Sequence, residues 1–549
     1  MMVEIMKTNF PDRHDKEFLN EWKQLYASNG HTFFSNPDFL FAWWKHYGKN
    51  YTPLTLAIYA KNILVGVAPL MLTRGRTWRI CRLIGYPQAT QSEIVIMHEY
   101  TEAVVNAIIN FLDNLDGPVV SEFTGFSKND LNYSVILRSL QASGRKHYIS
   151  TTPCPVIHPQ GQTYDNYIKS RFSSHTLKNN RRDDRRLAEL GRVTYRDLTI
   201  DDMPAAFALH DTRWKKKLDT SEFCREPSRS FFTHLLTMPK DDWQVKVSGL
   251  FIDDRIIAFQ YGFVCGSNAL LYKSAHCELL NIYAPGKKMK RDFIMDLFNK
   301  PFKTISLGIG YEEYKSEWTQ ANETIHELCF PSHGVLSHLF FVLKCVKHAL
   351  KVQLKLNRRV VLFKRNSIGK LKYLLTPKTI ISQFQRFSAR FTVYGLPALL
   401  GDALHIRRQI LLYKKPSNYS KTLPDVIERA RIFDATKLAP LLNCKTDDIV
   451  RSFYRQHEFF VFRQNGILIC AAEVFYKGDS AAIMNYHAHR KLCRSECIYE
   501  MLCILCRVLG EGGYKNISMY LYSGERKLYH AAIKAGFSVT WYSPFQAPS

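Results

Sequence analysis

At 549 residues the chain well exceeds the roughly 100 to 200 of a usual domain, which argues against one compact unit and sets an expectation of three or four. A hydrophobic fraction of 46% with 13% aromatic residues, without low-complexity bias, excludes a largely disordered chain. A formal charge of +26 calls for an anionic partner, whether nucleic acid, lipid headgroups or a phosphorylated ligand, and does not choose among them.

The first residues, "MMVEIMKTNFPDRHDKEF", carry acidic and polar side chains where a signal peptide needs an apolar centre, so export by that route is not expected. In "FFSNPDFLFAWWKHYG", Asn36 is suited to cap a helix begun by Pro37, with Asp38 at its positive end. Leu40, Trp43, Trp44 and Tyr47 then fall on one apolar face, the pattern of a core helix.

"LTLAIYA", "ILVGVAPLML" and "WRICRLIG" read as three strands punctuated by Lys61-Asn62 and "TRGRT"; a helix near 101–114 and the strand "VVSEFTG" follow. The order recurs with "VKVSGLFI", "IIAFQYGF", "ALLYKSAH", a helix from Pro285 and a strand at Thr304–Leu307. It recurs again with "EFFVF", "ILICAAEVFY", "AAIMNYHAH", a helix through Leu509 and "NISMYLY". Three occurrences predict a repeated α+β module.

Between the first two blocks, "SHTLKNNRRDDRRLAELG" places Lys178, Arg181, Arg182, Arg185 and Arg186 at helical spacing on one face. Such a stripe is either a solvated helix paired with Asp183 and Asp184 or a surface for phosphates or an anionic polymer. At "IYAPGKKMKRDF", Pro285 suits a first helical position and Gly286 permits close backbone approach, with Lys287, Lys288, Lys290 and Arg291 following. Cations at the positive end of a helix are unfavourable unless an anion binds there too, and the unpaired amides suit a pyrophosphate. In "SLGIGYEEYKSEW" the two glycines suggest a dinucleotide loop, but Glu313 stands where its third glycine is required.

From Val335 to Leu375 an apolar series, Leu339, Phe340, Leu343, Val346, Leu350 and Leu354, runs opposite Lys344, Lys347, Lys351, Lys355 and Arg358. This basic amphipathic pattern suits an anionic lipid surface or a solvated bridge between modules. No apolar run reaches the roughly 18 residues of a membrane span. Thirteen scattered cysteines suit reduced thiols. Cys493, Cys497, Cys503 and Cys506 extend too far along one helix, roughly 20 Å between the outer pair, to share a zinc ion. His487 and His489 share a strand face, without further ligands to suggest a metal site.

The order of elements resembles the GNAT acyltransferase superfamily. "FFSNPDFLFAWWKHYG", "LKNNRRDDRRLAELG", "APGKK" and "GYEEYKSEW", taken together over about residues 30 to 330, resemble its two-module, FemAB-like branch. That branch includes acetyltransferases associated with cellulose and other envelope polysaccharides (CelD-type). The resemblance implies an α+β fold of GNAT-like modules with mixed, mostly antiparallel sheets. Its divisions are an amino-terminal module (1–165), a second module carrying the acyl-CoA site (166–334), a basic helical linker (335–419) and a degenerate third module (420–549). "YHAAIKAGFSV" resembles the superfamily's last helix and strand, whereas Cys493–Ile498 has no glycine and carries Glu496 where phosphates would sit.

The implied activity is transfer of an acyl group from acyl-CoA (acetyl-CoA) to an amine or hydroxyl acceptor, a small molecule or glycan of envelope biosynthesis, with no metal or redox cofactor. Pro285, Gly286, Lys287 and Lys288 would hold the donor's pyrophosphate, and Lys178, Arg181, Arg182, Arg185 and Trp318 would border the acceptor cleft. Lys315 would stabilise the oxyanion or hold an acceptor anion, Glu312 or Glu313 would take the acceptor's proton, and Tyr314 would protonate the departing thiolate. The phosphate loop departs from the common pattern in keeping one glycine, so a FemAB-like aminoacyl-tRNA-dependent transferase remains an alternative. A noncatalytic scaffold of degenerate modules is another. The expected location is cytoplasmic, with peripheral contact at the inner membrane as a further reading, and nucleic acid enters only as tRNA.

Overall fold

The computed structural model describes residues 2–8, 16–30, 32–75, 77–127, 130–218, 221–239, 243–310, 312–356, 409–414, 427–442, 444–464, 467–488, 495–522 and 526–543. The described residues divide into two units. The first runs to Asp184, from Arg192 to Cys277, and from Pro285 onward through the helix that ends at Leu356. The second holds Arg185–Gly191, Glu278–Ala284 and the described residues from Gln409 on. The fold is α+β, with mixed sheets and flanking helices.

In the first unit the chain forms β1 (Glu4–Lys7), α1 (Lys16–Asn29), α2 (Pro37–Tyr47), β2 (Tyr51–Ala60), β3 (Ile63–Thr73), β4 (Arg79–Leu83), β5 (Val95–Ile96), α3 (Thr101–Asp113), β6 (Val119–Ser127), α4 (Leu131–Ala142) and β7 (Tyr148–Ile157). It continues with α5 (Tyr164–Arg171), α6 (Ser174–Ala188), β8 (Val193–Asp197), α7 (Met203–Leu218), α8 (Glu226–Thr237), β9 (Trp243–Ile252), β10 (Arg255–Cys265), β11 (Asn268–His276), α9 (Pro285–Phe298), β12 (Thr304–Ser306), α10 (Glu313–Ser316), β13 (Asn322–Pro331) and α11 (Val335–Leu356). The expected cap of α2 is present: Asn36 Oδ1 accepts from the amides of Asp38, at 2.8 Å, and Phe39. The β2–β3 turn forms at Lys61-Asn62, both with positive φ, and β3 is buried almost throughout, as a strand covered on both faces requires.

Thirteen strands make one sheet in the order β1-β2-β3-β4-β6-β13-β7-β12-β11-β10-β9-β8, with β5 paired to β3. The last strands of the two halves are exchanged. β13 lies between β6 and β7, antiparallel to both, and β7 is flanked by β13 and β12, two strands from the later half. The core is shared as well: the Phe33 ring stacks 4.2 Å from Phe263 and meets Trp243 edge-on at 4.7 Å. Burial of each such ring contributes on the order of 2 kcal/mol.

Two strand pairs within this sheet are parallel, and both diverge. β4 and β6 pair from Arg79↔Val119 to Cys81↔Ser121, and β11 and β12 from Asn268↔Thr304 to Leu270↔Ser306. The pairing ends at Leu270↔Ser306: β11 continues to His276, while β12 stops at Ser306 and the chain turns at Gly308.

The second unit contains β14 (Gln409–Lys414), β15 (Ile427–Arg429), α12 (Ala435–Leu441), α13 (Thr446–Tyr454), β16 (Glu458–Gln464), β17 (Ile467–Lys477), β18 (Ser480–Ala488), α14 (Ser495–Glu511), β19 (Asn516–Tyr522), α15 (Arg526–Lys534) and β20 (Ser538–Ser543). Its seven-stranded sheet, β15-β16-β17-β18-β19-β14-β20, has the same parallel pair, with β18 and β19 in register from Ser480↔Asn516 to Ile483↔Met519. Cys503 and Cys506 lie in its apolar core, as expected for packing residues. Cys493, His489, Arg358 and the side chains of Cys497 and Glu496 lie outside the described residues.

Candidate functional site at the divergence of β11 and β12

The chain leaving β12 is held by first-half backbone. Leu307 N donates to Pro155 O at 2.8 Å and Gly310 N to Pro153 O at 2.9 Å, both acceptors on β7. Gly308 (φ +82) turns the chain, and a Cβ there would lie 2.8 Å from the Leu271 carbonyl oxygen. Both the backbone angle and the clearance therefore require glycine.

Lys315 closes this turn. Its buried ammonium donates to the carbonyls of Gly308 (2.9 Å), Ile309 (3.0 Å) and Gly310 (3.3 Å), and lies 2.6 Å from Glu312 Oε2. Its donors are spent inside the protein, in place of the acceptor or oxyanion contact expected from the sequence. Trp318 also differs from expectation. It is buried, edge-on to Phe172 at 5.2 Å, and its carbonyl accepts from the Tyr167 hydroxyl, so it anchors the loop to α5 instead of bordering a cleft. Arg171, on the same helix, donates to Ser316 O at 2.7 Å.

Glu312, Glu313 and Tyr314 are exposed on this braced loop. The Tyr314 ring carries the Lys290 ammonium 3.3 Å from its centroid. Although the residue is 42% exposed, desolvation of the Tyr314 hydroxyl and the charge of Glu312 push it up to about 12, so it is a proton donor at neutral pH. Burial, reinforced by Lys315, pushes Lys290 down to about 7.

α9 begins beside this group. Pro285 is buried at its first position, and a Cβ on Gly286 would lie 2.4 Å from His276 Nδ1, at the end of β11. The Arg213 guanidinium, from α7, bonds the same His276 nitrogen. Arg213 and His276 thus lie at the first turn of α9, and Lys290 is on its second. Lys287 is exposed, whereas Lys288 pairs with Asp292 at 3.0 Å within the helix. Arg291 is bonded by Asp184 of α6, a tertiary pair in place of the local pairing expected for that carboxylate.

On α6, Lys178, Arg181, Arg182 and Arg185 are exposed, and Arg182 pairs with Asp183 at 3.3 Å. Arg186 pairs with Glu189 at 3.2 Å. The link of α6 to the site is the Asp184–Arg291 pair.

A cavity of ≈ 510 Å³ adjoins Leu270 and Ser306, the last paired residues of β11 and β12. Both halves line it, with Glu93 and Glu323 supplying carboxylates. Sequence reasoning missed Arg213, His276, Glu93 and Glu323; only Lys290, four residues after Gly286, carried a signal, as part of the lysine cluster.

A search among curated proteins gave no match. Similar solved structures include FemX, at 12% identity and TM-score 0.43, covering 62% of this chain and 99% of that one. Another is L-PGS from Bacillus licheniformis, at 10% identity and TM-score 0.38, covering 61% and 98%. A third is a tandem GNAT protein from the clavulanic acid biosynthesis pathway, at 7% identity and TM-score 0.36, covering 61% and 100%. Residues 174–316, from the start of α6 to the end of α10, match the family model described as an acetyltransferase (GNAT) domain.

Proposed function

We propose that this chain is an acyl-CoA-dependent acyltransferase whose site lies between β11 and β12, in the half spanning residues 166–334. The observation that carries the reading is that the pairing of the two parallel strands ends at Leu270↔Ser306 while β11 runs on to His276, beside Gly286 at the start of α9. The residues there fit a pyrophosphate. Gly286 lets His276 approach the first turn closely, and Arg213 and Lys290 add positive charge to the helix amides.

Bound acyl-CoA supplies an activated thioester. Arg213, Lys290, Lys287 and the α9 amides hold its phosphates, so the cationic role expected of Lys288 passes largely to Arg213 and Lys290. Glu312 and Glu313 supply the exposed carboxylate that takes the acceptor's proton, since transfer requires a neutral nucleophile. Tyr314 donates its phenolic proton to the leaving sulfur. Lys315 positions all three by fixing the loop.

The acceptor enters the cavity next to Ser306, where Glu93 and Glu323 suit an amine better than a neutral hydroxyl. The resemblance to envelope-polysaccharide acetyltransferases makes an amino sugar or a lipid-linked glycan the class to try first. Residues 1–165 serve the site structurally, through β7. Residues 420–549 form a module without a donor role, having no glycine in Cys493–Ile498, where the phosphate loop would lie.

Calorimetry with acetyl-CoA and CoA tests the donor. The full chain is expected to bind both and Gly286→Glu neither. Absence of binding by the wild type overturns the reading, and salt-sensitive binding of charged tRNA in its place would establish the aminoacyl-transfer alternative.

A further inference from the structure

α11 packs by its polar side. Ser337 accepts from Val119 N at 3.3 Å and bonds Ser332 Oγ at 2.9 Å. Four residues on, Phe341 is buried against Val120 and Cys329, and Lys344 lies 2.8 Å from Glu122. His348 meets the Tyr148 ring at 5.2 Å. The opposite side is apolar and open to solvent. Leu336, Leu339, Leu343, Val346 and Leu350 follow at helical spacing, and each is more than half exposed, from 52% at Leu339 to 57% at Leu336. A helix normally buries such a stripe.

The stripe has an aromatic and cationic margin. Trp78, exposed on the β3–β4 loop, stacks on Phe340 at 5.2 Å and 12°. Lys347, next to Val346 of the stripe, is exposed, as is Arg74 of the β3–β4 loop. α11 contains no Asp or Glu, and from Leu328 to Gly401 the sequence has 13 Lys and Arg and no acidic residue.

We propose that α11 lies on an anionic lipid surface, with its leucines in the acyl boundary, Trp78 at the headgroup level and Lys347 against lipid phosphates. Charge selects this occupant over a second copy of the chain. Two copies of α11 would bring lysines together with no carboxylate on either helix to pair them. The helix has 22 residues, and no described helix is long and apolar enough to cross a membrane, so it would lie in the interface plane. The proposal stands independently of the acyl-transfer reading, because α11 shares no residue with that site.

Co-sedimentation of the full chain with vesicles is the test. Vesicles containing phosphatidylglycerol should retain the protein, and pure phosphatidylcholine vesicles should not. Leu339→Asn with Leu343→Asn should weaken retention at least about tenfold with an unchanged circular dichroism spectrum. Brominated lipid should quench tryptophan emission in the wild type and much less in Trp78→Phe, a change confined to an exposed ring. Failure to sediment, equal retention by neutral vesicles, or undiminished binding by the double asparagine variant overturns the proposal. So does a wild-type dimer that the double variant converts to monomer without any vesicle binding, which would make the face a contact between copies.

Discussion

The Lys290 ammonium lies 3.3 Å from the centroid of the Tyr314 ring, joining the helix that begins at Pro285 to the loop that follows β12. The ring holds the cation, and the hydroxyl remains a proton donor. Tyr314→Phe separates the two roles. It should lower kcat about a hundredfold while leaving CoA affinity within about threefold of wild type, whereas Tyr314→Ala should damage both. Thiol-release kinetics measure the split, and an unchanged kcat in Tyr314→Phe removes Tyr314 from the acid role.

Lys290 also sets a pH dependence. Its pKa in the ligand-free protein is about 7, and a bound phosphate favours the charged form, raising that value. CoA affinity should be full below about 7 and fall above it by up to about tenfold per pH unit. Lys290→Met should flatten the profile. Calorimetry in two buffers of different ionisation enthalpy should register proton uptake on binding near pH 8. Without ligand the sign reverses for stability. The unfolded chain holds this proton up to about 10.5 and the folded chain only to about 7, so the contribution of Lys290 to stability rises with pH across that window.

Lys315→Met should cost about 3 kcal/mol, because it removes a buried ammonium from three carbonyls and a carboxylate. The thermal melt should shift down and activity should fall with it. Lost activity with an unshifted melt would instead mean that Lys315 contacts the acceptor.

Gly308→Ala should cost about 1 to 3 kcal/mol, from its φ of +82 and its approach to Leu271 O. Gly144, with φ +63 and open space around it, is the control, and Gly144→Ala should cost about 1 kcal/mol from the backbone angle alone. Urea melts compare the two. Equal losses would show that the clearance at Leu271 contributes nothing.

Strands such as β2, β3, β9 and β10 were legible because local turn residues, Lys61-Asn62 and Asp253-Asp254, separate long apolar runs. β7 was not. "YISTTPCPVI" contains Pro153 and Pro155, which argue against a strand, yet their carbonyls receive the amides of Gly310 and Leu307. The position of α9 was readable from Pro285 and Gly286, but its partners Arg213, His276 and Asp184 lie elsewhere in the chain and carry no local signal. Lys315 was legible by motif, but its bonds to the carbonyls of Gly308, Ile309 and Gly310 were not, since burial under a turn of its own making has no sequence signature. The amphipathic period of α11 was visible, but not which side would face inward, because that depends on Glu122 and Ser332.

β7 has consequences during synthesis. Its sheet partners are β12 and β13, so residues 148–157 have neither neighbour until the ribosome has released residues 304–306 and 322–331. The amino-terminal half must wait with the edge of β6 open while more than a hundred further residues emerge, a state prone to pairing with other chains. The same delay ties assembly of the donor site to completion of the whole sheet: the β7 carbonyls that steady Leu307 and Gly310 take their places only when both halves exist. A nascent fragment ending before β13 therefore lacks a finished sheet, with β6 and β7 not yet joined.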